Sequence, residues 1–404
     1  MKEVSVLLVG IGGFGENYVQ ILLNNTDGIK FLGAVDPFPE RCSRLPEIKG
    51  KGIPVYKTLE DFYAENNADL AVISTPIHLH VEQTIFCLSK GSNVLCEKPL
   101  CAVYQDSVKM LEAEKKYGKF VAIGYQLSFS DSIQALKRDI MSGSFGKPVK
   151  LKSFLIFPRH ETYYKRNSWA GKLKTASGSW VLDSPIMNSC AHQLHNMLYV
   201  LGNTRETSSY PGSIKAELYR ANPLVENFDT AALRCITMDN TEVLMYSTQA
   251  MEGDKGGKVG PFWEFEFENA VVYHRESYDE DFFVRFNDGT IKDYSKLRGL
   301  PFKKFWDVID AIRTGTKVAC GIEAAIPHVL CINGMQKSMN TVDFPETIVE
   351  SKTVNGEKWT YVKGIKDILL KCYNEGKLPS EIGYSFAREG KTIDMKGYKE
   401  FKGI

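Results

Sequence analysis

The densest group of chemistry-bearing side chains in this 404-residue chain is NSCAHQLHNMLY, residues 188–199, which puts Cys190, His192 and His195 within six positions. On a helix, positions i, i+4 and i+7 share a face, so Asn188, His192 and His195 point one way while Cys190 lies about 200° around from His192. Cys190 falls instead on an apolar stripe with Ile186, Met187, Leu194, Met197, Leu198 and Val200. A polar face on an otherwise buried helix is costly unless it lines a site or is fully hydrogen-bonded. Two histidines fall short of the three or four ligands a zinc-type site needs, and no acid stands close in sequence to complete the set. No metal is expected. The choice left is between a catalytic face and satisfied core histidines.

A second group is the glycine-rich GIGGFG, residues 10–15. In such a turn Gly10 makes the tight bend, Gly12 lets backbone approach a pyrophosphate, and Gly15 allows close helix–strand packing; Gly13 and Phe14 complete the loop. The phosphates then rest on the N–H groups at the start of a helix. Asp36 follows 21 residues after Gly15. A carboxylate there bonds the ribose hydroxyls of NAD and repels the 2′-phosphate of NADP, so NAD is expected over NADP, with Arg41 a nearby cation that could soften the repulsion. His78 and His80 form an H-x-H pair, but Pro76 precedes them where a helix begins, so they diverge by about 200°. A third group, PRHETYYKRNSWAG (158–171), carries Arg159, Tyr163, Tyr164, Arg166 and Trp169. Aromatic rings beside cationic donors suit the apolar and hydroxyl faces of a sugar; a solvent-exposed loop is the competing reading.

The elements that must hold these groups are legible in outline. Buried-strand runs at 4–10, 31–36, 69–75, 93–99 and 119–125 alternate with helical stretches near 78–90 and 104–117. That alternation implies an α/β Rossmann domain with a doubly wound parallel sheet, residues 1–125. Later runs at 213–221, 230–238, 242–250 and 262–269 alternate apolar and polar residues, as a half-exposed antiparallel sheet does. They imply an α+β domain with an open, mostly antiparallel sheet over 126–345. Apolar helices at 301–315 and 322–340 should pack back on the body, as should an extension at 346–404.

The combination of GIGGFG, Asp36, STPIHLH (74–80), Glu97-Lys98-Pro99 and GSFGKPVKLKS resembles the Gfo/Idh/MocA oxidoreductases. The resemblance continues through the helix at 188–199 and FWDVIDAIRTGTKVACGIEAA. It implies an NAD-dependent oxidoreductase acting on a ring hydroxyl of a sugar, glycoside or cyclitol. It implies that Lys98 polarises the reacting oxygen, that His192 is the acid/base, and that Ser74, Thr75, Pro76, His80, Glu97 and Gln126 join the cofactor site. The segment bearing Arg159 to Trp169 borders the substrate, with Asn188 and His195 positioning hydroxyls. Independently, Gly10, Asp36, Thr75 and Lys98 all fall at the carboxyl ends of strands, where open parallel sheets bind ligands. One departure stands out. The family pattern D-x-G-x-H-x-x-D reads N-S-C-A-H-Q-L-H here, with Asn188 and His195 where aspartates are usual. An amide cannot stabilise imidazolium as a carboxylate does, and Asp183 is the nearest replacement. Two alternatives remain: a glycoside-cleaving enzyme that keeps NAD bound and oxidises only transiently, and a non-catalytic NAD sensor.

Composition narrows the partners. With 50 basic and 49 acidic residues, formal charge +1, there is no global field for nucleic acid or an anionic membrane. Locally, residues 147–174 hold eight Lys/Arg against one acid, Glu161, a solvated face or a patch that attracts an anionic substrate group. Nine scattered cysteines without a CxxC pair, and no apolar run of about 18 residues, lead to the expectation of a cytoplasmic protein with free thiols. The open sheet is the expected interface of a homodimer or homotetramer.

Overall fold

The computed structural model describes residues 2–24, 27–253, 257–275 and 280–403. The chain forms two compact units, one from residues 1–101, 105–125 and 302–325, the other from 102–104, 126–301 and 326–404.

The first unit is built on six parallel strands: β1 (Val4–Val9), β2 (Ile29–Val35), β3 (Val55–Tyr56), β4 (Leu70–Ile73), β5 (Asn93–Cys96) and β6 (Val121–Ile123). Their order is β3-β2-β1-β4-β5-β6, so the chain reverses direction of sheet growth between β1 and β4. That reversal opens a crevice at the carboxyl ends of these two strands. The strands are near-continuous apolar runs because helices cover both faces. Leu7, Leu8, Leu70, Ala71, Val72 and Leu95 are fully buried. β3 is only two residues long and was not visible as a strand run in the sequence. The helix Lys303–Thr314 packs on this unit, with Phe305, Val308 and Ile309 buried.

The second unit carries a large mixed sheet: β7 (Pro148–Ile156), β8 (Pro211–Arg220), β9 (Thr230–Thr237), β10 (Glu242–Thr248), β11 (Val259–Phe267), β12 (Ala270–His274), β13 (Asp281–Phe286), β14 (Ile291–Lys296) and β15 (Val342–Asp343). Their order is β14-β13-β12-β11-β7-β10-β9-β8-β15. The pairings are antiparallel except β7 with β10 and β8 with β15. Beyond β15 a separate hairpin forms from β16 (Val349–Val354) and β17 (Glu357–Val362). The following helix, Ile365–Glu375, has Ile365, Leu369, Cys372 and Tyr373 at helical spacing, and these bury against Phe154, Leu244 and Tyr246 of the sheet. All nine cysteines are buried free thiols. No helix among the described residues is long and apolar enough to cross a membrane.

Candidate functional site

The glycine turn follows β1 directly. Gly10 takes a φ of +84°, and a Cβ there would lie 2.8 Å from the Ser74 carbonyl oxygen. A Cβ on Gly15 would lie 2.1 Å from the Gly10 carbonyl oxygen, so only glycine lets this helix start so close to the strand end. Gly12 and Gly13 differ: a Cβ on either meets nothing within 4 Å. No protein atom demands glycine at position 12, where φ is also ordinary, so its bareness leaves room for something outside the chain. The helix Gly15–Asn24 starts here, with Phe14 exposed beside it.

Asp36, just past β2, is held by the backbone. Its Oδ2 accepts from Ile11 N at 3.0 Å and its Oδ1 from Phe38 N at 2.9 Å. Together with Gly10, Gly12, Ser74, Thr75, Pro76 and Arg41 it lines a cleft of about 460 Å³. The Arg41 guanidinium lies 4.5 Å over the Phe38 ring. Open space over Gly12, a fixed carboxylate at the strand end and a cleft at the β1/β4 reversal fit an adenosine ribose and pyrophosphate.

Further along the sheet edge, Glu97 and Lys98 leave β5. Glu97 is turned inward. Its Oε1 accepts from Tyr18 Oη at 2.6 Å and from the buried Lys304 ammonium; its Oε2 accepts from Lys98 N at 3.2 Å. Lys304 also donates to Gly124 O at 3.3 Å. Burial, with the adjacent Glu97 carboxylate, pushes the Tyr18 phenol well above its ordinary range. Glu97 thus acts as the anchor of the strand end, and Lys98, half-buried, extends from it. The Lys98–Pro99 peptide is cis. His80 is fully buried, its Nδ1 2.9 Å from Pro99 O and its Nε2 3.0 Å from Thr75 O, so it ties the loops after β4 and β5 together. Burial lowers its pKa, against the opposing pull of both carbonyls. Whatever His80 does for a cofactor it does through backbone. His78 is half-buried, and burial lowers its pKa as well.

In the second unit, the segment around residue 190 is not one continuous helix. Pro185–Ser189 is a wide turn in which Cys190 N donates to Pro185 O at 2.7 Å, a five-residue step, and an α-helix runs over Ala191–Val200. Asn188 is therefore out of the regular phase that placed it four residues before His192; such wide turns recur at functional sites. Every residue of Ala191–Val200 is buried except His192. Cys190 packs toward the sheet, its Sγ 3.2 Å from Ser247 Oγ, and burial raises its thiol pKa. His195 does not share the outlook of His192, contrary to the helical-face expectation. It is fully buried, its Nε2 2.9 Å from Ser128 Oγ and its ring stacked on Tyr199, and burial pushes its pKa well down. It is a core histidine. Among the described residues no three His, Cys, Asp or Glu gather as metal ligands.

Asp183 does reach Asn188. Its Oδ1 accepts from Asn188 Nδ2 at 2.9 Å and its Oδ2 from Gly171 N at 2.7 Å, while its own carbonyl accepts from Asn227. The carboxylate fixes the amide with its nitrogen inward. Gln249, unremarked in the sequence, joins the same assembly: its Oε1 accepts from Tyr164 Oη and its Nε2 donates to Ser189 Oγ, both at 2.9 Å. Tyr164 is thereby committed inward and buried. Tyr163 and Trp169 are half-buried, and Arg166 is exposed. Gln126 is half-buried at the head of a short turn, Gln126–Phe129.

The β16–β17 hairpin grips this region. Glu357 accepts from Thr162 Oγ1 at 2.5 Å and meets His160 Nδ1 at 2.9 Å, Lys358 pairs with Glu161 at 3.0 Å, and Trp359 packs edge-on to His160.

Residues 4–125 match the Gfo/Idh/MocA family, described as an oxidoreductase family with an NAD-binding Rossmann fold. The chain is 29% identical over 152 residues to inositol 2-dehydrogenase 1 of Mycolicibacterium vanbaalenii, a match covering 37% of this chain and 44% of the relative. It is 25% identical over 214 residues to 2,7-anhydro-N-acetylneuraminate hydratase of Mediterraneibacter gnavus, covering 52% of this chain and 53% of the relative. The chain thus spans about half the length of the curated relatives it matches. Among solved structures, the WlbA dehydrogenase from Bordetella pertussis in complex with NADH and UDP-GlcNAcA superposes with a TM-score of 0.68 at 18% identity, over 83% of this chain and 94% of that one, a likeness of fold.

Proposed function

We propose that this chain, whose residues 4–125 are an NAD-binding domain of the Gfo/Idh/MocA oxidoreductase family, oxidises or reduces a ring hydroxyl of a sugar, glycoside or cyclitol. The observation that carries the reading is Lys98, half-buried at the carboxyl end of β5 with its backbone N–H held by the anchored Glu97. Bound NAD supplies the hydride acceptor at nicotinamide C4. Gly10, Gly12, Gly13 and Gly15 seat the pyrophosphate, and Asp36 takes the ribose hydroxyls. The Lys98 ammonium donates to the reacting oxygen and stabilises alkoxide character as hydride leaves carbon. His192, the one accessible residue of its helix, takes the hydroxyl proton. Asn188 serves as a positioning group, its amide oriented by Asp183, so the carboxylate acts one bond further from the substrate than in the usual family pattern. The outer face of the open sheet is the proposed homodimer or homotetramer surface, which sedimentation analysis checks.

A second reading draws on the hydratase relative, whose name describes addition or removal of water instead of net oxidation. The same residues then oxidise the ring only transiently, and NAD stays bound. Lys98→Ala separates both readings from a mere NAD sensor. Removal of a positioned proton donor lowers turnover about 10²–10⁴-fold with NAD binding retained. Full turnover by a folded Lys98→Ala protein would contradict the mechanism.

A further inference from the structure

Arg159 is a guanidinium without an evident reason to be where it is. Its Nε is buried and has no hydrogen-bond partner, and among the described residues no carboxylate pairs with it. A guanidinium cannot shed its charge at neutral pH, so one drawn from water is held only where an anion or a π-face compensates it. Here two rings do so in part: the guanidinium lies 3.9 Å from the Phe157 ring centroid and 4.0 Å from that of Tyr163. Stacking fixes the plane of the group and leaves its edge, the hydrogen-bonding side, to another partner. A second cation is on the same tyrosine, with Arg166 at 3.6 Å from the Tyr163 centroid. The Lys258 ammonium is 5.8 Å from the Phe157 centroid. Neighbouring acids are engaged elsewhere: Glu161 with Lys165 and Lys358, Glu357 with Thr162 and His160. Asp183 accepts from Gly171 N and Asn188 Nδ2.

The location ties this cluster to the proposed chemistry. Arg159 N donates to Gln249 O at 3.0 Å, and the Gln249 side chain holds Ser189, next to Asn188. From the rings, the unpartnered buried Nε and the second guanidinium on the same tyrosine, we propose that Arg159, supported by Arg166, receives an oxyanion carried by the substrate. The substrate is then an acidic sugar, one bearing a carboxylate or a phosphate. A planar fork held over two aromatic rings matches two oxygens of one such group, where a neutral ring offers only hydroxyls. This rests on the reading of the second unit as the substrate domain and narrows its substrate class.

The test uses the full-length, NAD-loaded protein and titration calorimetry, with NADH absorbance read in parallel. The probes are methyl β-D-glucuronide and methyl β-D-galacturonide (carboxylates), glucose 6-phosphate (phosphate) and methyl β-D-glucoside (neutral). At least one acidic probe should bind about 10- to 100-fold more tightly than the neutral glycoside, the span expected of charge-assisted hydrogen bonds. Whether the carboxylates or the phosphate show the gain names the source of the oxyanion. Arg159→Met should erase the difference and Arg159→Lys restore part of it, with far-ultraviolet dichroism confirming that both fold; Arg166→Gln, at an exposed position, should reduce it. Equal binding of acidic and neutral probes, or a gain that survives Arg159→Met, would overturn the proposal. NADH formed from the neutral glycoside without dependence on Arg159 would also overturn it and leave the oxidoreductase reading standing. Arg159-dependent binding of an acidic probe with neither NADH nor altered sugar would support the subsite and count against the reaction.

Discussion

Replacing Lys304 with methionine isolates the pair that anchors the end of β5. Lys304 and Glu97 have side chains only 3% and 10% exposed, and among the described residues the carboxylate also accepts from Tyr18 Oη and Lys98 N. Without the lysine a buried carboxylate keeps two neutral donors and loses the ammonium paired with it. Removing one member of a buried ion pair typically costs about 3–5 kcal/mol, because the other charge is left unpaired. At about 2–4 °C per kcal/mol for a unit of this size, the melting temperature should fall by about 6–20 °C. Glu97→Gln with Lys304→Met removes both charges while keeping an acceptor for Tyr18, and should recover most of that loss. Thermal melts followed by circular dichroism, completed as a double-mutant cycle with Glu97→Gln alone, give the coupling. If Lys304→Met melts within a degree of the parent, or if the double variant is less stable than the sum of the singles, the carboxylate is not held as described.

Three further outcomes follow from the geometry. Gly12→Ala should fold with an unchanged melting temperature yet lose NAD affinity, since its methyl enters space no protein atom fills; Gly15→Ala should lose both, since its methyl meets the Gly10 carbonyl, and calorimetry with melting curves separates the two. Burial raises the Asp229 carboxyl to about 6 from its ordinary 3.8. The folded state therefore binds that proton more tightly than the unfolded chain. The stability this contributes is fully present below pH 3.8 and lost as pH rises through 6, amounting to about 3 kcal/mol. Urea titrations across that range should show the slope flatten in Asp229→Asn. Asn188→Asp should lower turnover instead of restoring a family-like carboxylate, because the new acid faces Asp183 Oδ1 and the two must share a proton. Exchanging the two, Asp183→Asn with Asn188→Asp, should recover part of it, and equal or higher turnover in the single variant would count against the amide's orientation.

What the sequence discloses here is what local spacing controls. The turn at Gly10–Gly15 and Asp36 at a strand end are written within some thirty residues of each other in glycine placement, and the sheet from β1 to β6 in a succession of short apolar runs. The long alternating strands β8 to β11 were equally plain. β14 was not, because IKDYSK at the sheet edge faces solvent on nearly every residue and loses alternation; β12 and β13 are short strands of five and six residues. The histidine helix shows the limit more sharply. A polar face on a buried helix has two causes, and the two histidines part company: His195 is buried in the core, while His192 alone on its helix keeps partial exposure. His195 finds its partner in Ser128, 67 residues away, which no helical wheel contains. The wide turn before Ala191 shifts Asn188 out of phase, and Cys190 at its end reaches Ser247, 57 residues on, which no local pattern shows either. Lys304 reaches Glu97 across 207 residues and Gln249 reaches Ser189 across 60, and neither pairing leaves a local pattern.

The central claim is that this chain moves hydride between NAD and a ring carbinol with Lys98 on the oxygen. The most direct measurement loads the full chain with NAD, offers a panel of neutral and acidic sugars, glycosides and cyclitols, and records NADH and sugar product together for the parent and for Lys98→Ala. An oxidised sugar should form in step with NADH for at least one substrate, and be lost by about 10²–10⁴-fold in Lys98→Ala with NAD still bound. Glycoside cleavage or water addition without net NADH would move the assignment to the NAD-retaining reading. Sugar bound and left unchanged by the parent, or turnover indifferent to Lys98, would contradict it.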